Sequence, residues 1–217
     1  MYLLNRNEND NNNVKHLCIE NVLDNSVFES FVAFFRFQHL FLEPNKNYWN
    51  KLNDSFYKNI YINHNLRKAS SPASCCSILQ HVVTDPIFLT KIVRDKFSLI
   101  DHEIEESRIL SVDTKALMLT NGSAINIHTD YPFDHKDNEI VLKMMYYAHS
   151  SWDASNWYGQ LEFWKNKLIT HQYDPLPNRL VVMVSNDTSY HSISPIEKMP
   201  NNAYQNVVVF YIKLSLT

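Results

Sequence analysis

The segment Ile125-Asn126-Ile127-His128-Thr129-Asp130 closes a stretch of alternating apolar and polar residues. In an extended strand, residues two apart share a face, so His128 and Asp130 project together where the strand opens into a loop. Further on, Ser189-Tyr190-His191-Ser192-Ile193 supplies another imidazole on a predicted strand. Two imidazoles and one carboxylate, with coordination positions left open, make the facial set used for non-haem Fe(II). A lone His-x-Asp also arises as a turn aspartate after an ordinary histidine, so the surrounding pattern has to decide.

The elements that must position these groups lie in the second half of the chain. From about Arg108 to Thr217 the pattern predicts short strands separated by polar turns: Ile109–Thr120, Ala124–His128, Ile140–Ala148, Leu161–Trp164, Ile169–Tyr173, Arg179–Val184, Tyr190–Ser194 and Asn206–Leu214. Eight strands with turn signals between them predict a mainly β sandwich or barrel. The first half reads differently. Residues 1–13 are polar and Asn-rich, as a frayed tail would be. Asn25-Ser26 can cap a helix running through Val27, Phe28, Phe31, Val32, Phe34, Phe35 and Phe37. A second helix is expected over Asn47 to Ile60, and a loop over His64 to Ser77. A third helix starts at Asp85-Pro86 and carries Phe88, Leu89, Ile92, Val93 and Phe97. The chain is therefore expected to be one domain, 1–217, with a mostly helical annex (1–107) packed on one sheet of a β core (108–217).

Composition removes several functions. The 217 residues hold only two glycines, Gly122 and Gly159, so Walker A and Rossmann fingerprints are excluded. A formal net charge of −3 gives no electrostatic footprint for nucleic acid. No apolar run approaches the length of a membrane span, and no long apolar leader follows Met1. Three cysteines, two of them adjacent (Cys75-Cys76), make no disulfide framework, which points to a reducing, cytoplasmic setting. The abundant asparagines suit turn positions, because Asn tolerates positive φ.

The pattern around the His-x-Asp resembles the Fe(II)/2-oxoglutarate-dependent dioxygenase superfamily, in particular its prolyl-hydroxylase-like branch. After His128-Thr129-Asp130 comes Lys143-Met144-Met145-Tyr146-Tyr147-Ala148-His149-Ser150-Ser151-Trp152, similar to that branch's strand ending in Tyr-Leu-Asn and a Trp. Tyr158-Gly159-Gln160-Leu161-Glu162-Phe163 resembles its Gly-Gly-x-Leu-x-Phe turn. Pro177-Asn178-Arg179-Leu180-Val181-Val182-Met183 is similar to the strand leading back to the second metal His. His191-Ser192-Ile193-Ser194-Pro195 resembles its His-x-Val-x-Pro, and Val207-Val208-Val209-Phe210-Tyr211 its closing strand. The resemblance implies a double-stranded β-helix, or jelly roll, with N-terminal helices on one sheet. It implies Fe(II) on His128, Asp130 and His191, 2-oxoglutarate and O2 as co-substrates, and succinate and CO2 as products of the oxidation. Relatives that halogenate carry a small residue where Asp130 stands, so hydroxylation or a related oxidation is implied instead.

One departure from the branch bears on the co-substrate. The closing strand usually begins with an Arg that pairs with the distal carboxylate of 2-oxoglutarate. Here the segment reads Ala203-Tyr204-Gln205-Asn206, and Gln205 takes that place. A neutral amide can hydrogen-bond a carboxylate but cannot neutralise it. Lys143 is the candidate cation: it stands inside an apolar run and shares a strand face with Tyr147, the residue that contacts that carboxylate in the resembling branch. A solvated strand lysine is the plain alternative. Asn126, two before His128, is expected on the same inner face. Trp152, Trp157 and His149 are weaker candidates for lining the substrate mouth, with core packing as the alternative. His135 and His171 read as structural or loop residues.

The leading expectation is an oxygenase that hydroxylates a small molecule, such as an amino acid or biosynthetic intermediate, or a peptidyl side chain. The missing Arg keeps open a non-haem Fe(II) oxygenase or isomerase on the same fold that does not use 2-oxoglutarate. An inactive jelly-roll binding module is a further alternative, against which the complete His-Asp-His set speaks.

Overall fold

The computed structural model describes residues 14–39, 50–52, 57–63, 73–130 and 138–217. Among these residues ten strands appear: β1 (His16–Ile19), β2 (Asn50–Leu52), β3 (Tyr57–Asn63), β4 (Ile109–His128), β5 (Glu139–Tyr147), β6 (Leu161–Lys165), β7 (Leu168–Tyr173), β8 (Leu180–Ser185), β9 (His191–Ile193) and β10 (Gln205–Ser215). They pair antiparallel along the path β1-β8-β5-β10-β4-β9-β6-β7, with β3 joining β4 and β2 joining β3. β4 is the corner of the jelly roll. Its first half pairs with β10 from Ile109 to Leu119, and its end pairs with β9 at Ile125 and His128. The two strands expected over Ile109–Thr120 and Ala124–His128 are thus one 20-residue strand shared by both layers.

Strand alternation sorts the core into two sides. Leu117, Leu119, Met145, Tyr147, Val181, Met183, Val207 and Val209 pack inside the roll with Leu161, Phe163 and Ile193. Their neighbours Met118, Met144, Tyr146, Val182, Val208 and Phe210 face the other way and meet the helices. There, α1 (Asn25–His39) lays Phe28, Phe31, Val32 and Phe35 against the sheet at i, i+3, i+4, i+7 spacing. Phe31 and Phe35 are fully buried, and each contributes on the order of 3–5 kcal/mol relative to Ala. α2 (Ala73–Thr84) and α3 (Pro86–Thr90) add Leu79, Val83 and Leu89. α3 begins as expected: Asp85 accepts the Phe88 amide at 2.8 Å and Pro86 occupies the first turn. It then widens into π-type turns over Lys91–Lys96, closed by the Phe97 amide on the Ile92 carbonyl at 2.9 Å.

Two local expectations are corrected. Asn47 to Ile60 is not a helix. Asn50–Leu52 and Tyr57–Asn63 are strands, because β3 finds open edge groups on β4 and β2 then pairs with β3. The aromatic spacing there suits either period, and the available partner strand decides. The loop expected to Ser77 gives way at Ala73, where α2 starts. β1 is an element the sequence pattern did not suggest; it pairs with β8 through Cys18↔Val181. Asparagines do fill turns: Asn21, Asn166 and Asn178 have φ of 51, 52 and 57°. Asn178 also accepts the Leu23 amide at 3.0 Å and the Tyr146 hydroxyl at 2.9 Å, tying the annex to the β5–β8 end. No helix among the described residues is long and apolar enough to cross a membrane.

Candidate active site

β4 and β9 deliver the two imidazoles. His128 and His191 are directly paired across the strands, with ring centroids 4.3 Å apart. Each ring is set by its own backbone: His128 Nδ1 lies 2.8 Å from the Asn126 carbonyl, and His191 Nδ1 lies 3.0 Å from the Ser189 carbonyl. Each Nδ1–H therefore donates, and each Nε2 lone pair is left to bind. Both Nε2 atoms turn to Asp130, at 3.7 Å from Oδ1 for His128 and 3.5 Å from Oδ2 for His191. Ligand atoms of the three residues lie within 4.8 Å of one another, the one such group among the described residues. Burial, and then the Lys143 ammonium, hold both imidazoles below their usual pKa, so they are neutral as ligands must be. Burial would raise the Asp130 carboxyl, but the Lys143 ammonium outweighs it and holds it well below the usual range. Two neutral imidazoles and one ionised carboxylate fit a divalent first-row metal with positions to spare.

Lys143 joins this group directly. It is buried, and its ammonium lies 2.8 Å from Asp130 Oδ2, 3.0 Å from Oδ1 and 2.7 Å from His191 Nε2. Two further residues, which the sequence pattern did not single out, complete this end of the site. Tyr211 donates its hydroxyl to Asp130 Oδ1 at 3.1 Å. Lys115 and Lys143 both approach the Tyr211 ring, at 4.9 and 5.6 Å from its centroid. Burial, with Lys143 nearby and Asp130 opposing, lowers Lys115 to about 8. A sequence signal existed: Lys115 alternates with the inward Leu117 and Leu119.

Tyr147 and Gln205 lie at the other end of the same inner face. Tyr147 pairs with Val207, and Gln205 is two residues before Val207 on β10. Both are fully buried. The Tyr147 hydroxyl and Gln205 Oε1 are buried with no hydrogen-bond partner among the described residues. Gln205 Nε2 donates to the Gly159 carbonyl at 2.9 Å. Gly159 is required there: its φ is +73°, and a Cβ would meet Gln205 Nε2 at 2.8 Å and Ile196 Cγ1 at 2.9 Å.

The remaining candidates sit elsewhere. Asn126 is exposed, because the register shifts between Ile125 and His128 and breaks the alternation that would turn its side chain inward. Its contribution to the site is its carbonyl. His149 is buried with both ring nitrogens engaged, Nε2 on the Pro175 carbonyl at 2.6 Å and Nδ1 accepting the Asn206 amide at 3.3 Å. It is a structural residue and does not line a mouth. Trp152 is a core residue that donates its indole N–H to the Tyr158 carbonyl at 2.9 Å. Trp157, half-buried, stands edge-on to it with centroids 5.3 Å apart. His171 sits in a ring cluster with His16 and Tyr173. His135 lies outside the described residues.

Residues 114–213 match the family described as the 2OG-Fe(II) oxygenase superfamily. No curated protein matches the sequence. Among solved structures, a Pseudomonas putida prolyl-4-hydroxylase superposes with a TM-score of 0.64 at 14% identity, covering 93% of each chain. A Trichoplax adhaerens prolyl hydroxylase, solved with a peptide of the hypoxia inducible factor oxygen degradation domain, superposes with a TM-score of 0.63 at 14% identity. That match covers 91% of this chain and 83% of the other. SnoN, a non-haem α-ketoglutarate-dependent epimerase from nogalamycin biosynthesis, gives 0.59 at 8% identity, covering 94% and 77%. The match over residues 114–213, the antiparallel roll and the His-Asp-His group together make this stretch of the chain similar to the 2OG-Fe(II) oxygenase superfamily.

Proposed function

We propose that the enzyme hydroxylates a C–H bond of a small molecule or a peptidyl side chain, with His128, Asp130 and His191 as its Fe(II) ligands. The observation that carries this is the convergence of those three side chains within 4.8 Å, each imidazole already held in the ligating tautomer. Fe(II) bound there, with 2-oxoglutarate and O2, supplies the oxidising chemistry of the family. The protein's own groups do the rest. The Asn126 and Ser189 carbonyls fix the imidazoles. Tyr211 orients Asp130 through its hydroxyl. Lys143, Tyr147 and Gln205 line the 2-oxoglutarate pocket, with Lys143 neutralising the co-substrate from the metal end. The apolar inner faces of β5, β8 and β10 exclude water around it.

Peptide and small-molecule substrates are both represented among the structural relatives, in the prolyl hydroxylase with its peptide and in the epimerase. We assign the protein to a reducing compartment such as the cytoplasm, a reading supported by the buried, unbridged thiol of Cys18. The test is anaerobic titration with Fe(II) and then 2-oxoglutarate. A weak visible charge-transfer band that grows with 2-oxoglutarate is the expected result. Metal binding without that band would favour an Fe(II) enzyme that does not use 2-oxoglutarate.

A further inference from the structure

We propose that Arg179 supplies the cation for the distal carboxylate of 2-oxoglutarate, with the Tyr147 hydroxyl as a second donor, in place of the closing-strand Arg that this chain lacks. The proposal rests on the 2-oxoglutarate reading above. 2-Oxoglutarate carries two carboxylates, and the Lys143 ammonium is committed to the metal end, on Asp130 and His191. Tyr147 is four residues away on β5, roughly 13 Å at the usual strand rise. A lysine cannot serve both ends at once. Gln205 does not fill the gap. Its Nε2 is spent on the Gly159 carbonyl, and the atom left over is Oε1, an acceptor that repels a carboxylate.

Arg179 stands beside Tyr147. Its carbonyl accepts the Tyr147 amide at 2.9 Å, and it precedes Val181 and Met183 at the same inward parity. Its guanidinium is already oriented. Nη1 donates to the Asp174 carbonyl at 2.5 Å, and Nη2 pairs with Glu20 at 2.5 Å. Nε–H is the spare donor: buried, and without a partner among the described residues. The Tyr147 hydroxyl is in the same condition. A buried N–H and a buried O–H left unpaired are costly in a folded protein. A carboxylate satisfies both at once, and the pair is charge-assisted. Tyr147 stands opposite Arg179, one step beyond the Tyr146–Leu180 pair of β5 and β8, so the guanidinium charge pulls the phenol pKa down. Burial still dominates, so Tyr147 stays protonated and can donate.

The test compares two ligands on Mn(II)-loaded protein, where nothing turns over. Calorimetry measures the Kd of 2-oxoglutarate and of pyruvate, a 2-oxo acid with no distal carboxylate. In Arg179→Met we expect 2-oxoglutarate to weaken tenfold or more while pyruvate and Mn(II) stay within about twofold. A purely structural arginine would shift both ligands together or neither, and either pattern overturns the assignment. Glu20→Gln removes the competing carboxylate and should tighten 2-oxoglutarate severalfold; unchanged or weaker binding counts against the proposal. That variant, with Tyr147→Phe expected to weaken 2-oxoglutarate alone, keeps the test decisive if Arg179→Met does not fold. A wild-type protein that binds Mn(II) but not 2-oxoglutarate sinks the parent reading itself.

Discussion

The Lys143 ammonium sits astride the Asp130 carboxylate, 2.8 Å from one oxygen and 3.0 Å from the other. A cation built into the wall thus shares its anion with whatever ion the site binds. Lys143→Met removes that competitor, so divalent-ion affinity should rise by about tenfold, the equivalent of roughly 1.4 kcal/mol. Titration with Mn(II) or Co(II) in the absence of 2-oxoglutarate measures this. Weaker ion binding in the variant would contradict the argument. 2-Oxoglutarate affinity should fall in the same variant, because its metal-side charge loses a partner.

His128→Ala and His191→Ala should each abolish stoichiometric metal binding, since each removes one of three ligands. His149→Ala should leave metal affinity unchanged. It should instead lower stability by about 1–3 kcal/mol, because it strands the buried Pro175 carbonyl and Asn206 amide. Metal content and thermal melts on the three variants separate the roles. Metal loss in a folded His149→Ala protein would refute this division.

Stability should fall as the pH drops from about 6.5 toward 4. His149, by burial, and His16, by burial and then by His171, are lowered from 6.5 to about 4. In that window the unfolded chain takes up protons that the folded chain refuses, so the native state loses ground with acid. For His149 the full effect is roughly 3 kcal/mol. Urea midpoints at several pH values should decline across this range, and less steeply in His149→Gln.

Gly159→Ala should cost about 1–3 kcal/mol, since the position combines positive φ with neighbours at 2.8 and 2.9 Å. The neighbours that must give, Gln205 and Ile196, are both fully buried, so the melting temperature should fall. A variant as stable as the wild type would show that the turn has slack.

What the sequence conveyed and what it hid have identifiable physical causes. His128 and Asp130 share a strand face by period alone, whereas His191 is picked out by the order of motifs that resembles the dioxygenase pattern. Asn126 was misread because parity was carried through a register shift that no residue type announces. The β2–β3 pair was misread as helix because its aromatic spacing is ambiguous and its partner, β4, lies far along the chain. Arg179 and Lys115 left a signal that went unused. Each is an ionisable residue standing at an inward parity, before Val181 and Met183 or before Leu117 and Leu119. Such a residue has to be solvated by something inside the fold.

β4 has a consequence for how the chain reaches its native state. One unbroken strand is gripped by β10 at its start and by β9 at its end. A slip of one residue against β10 would turn His128 out of the barrel and leave His191 facing Ile127 or Thr129. Metal capture is therefore a register gauge: a misthreaded molecule lacks the three-ligand set, and binding draws the population toward the correctly threaded one. A chain folded without the ion would then lose that check on its threading.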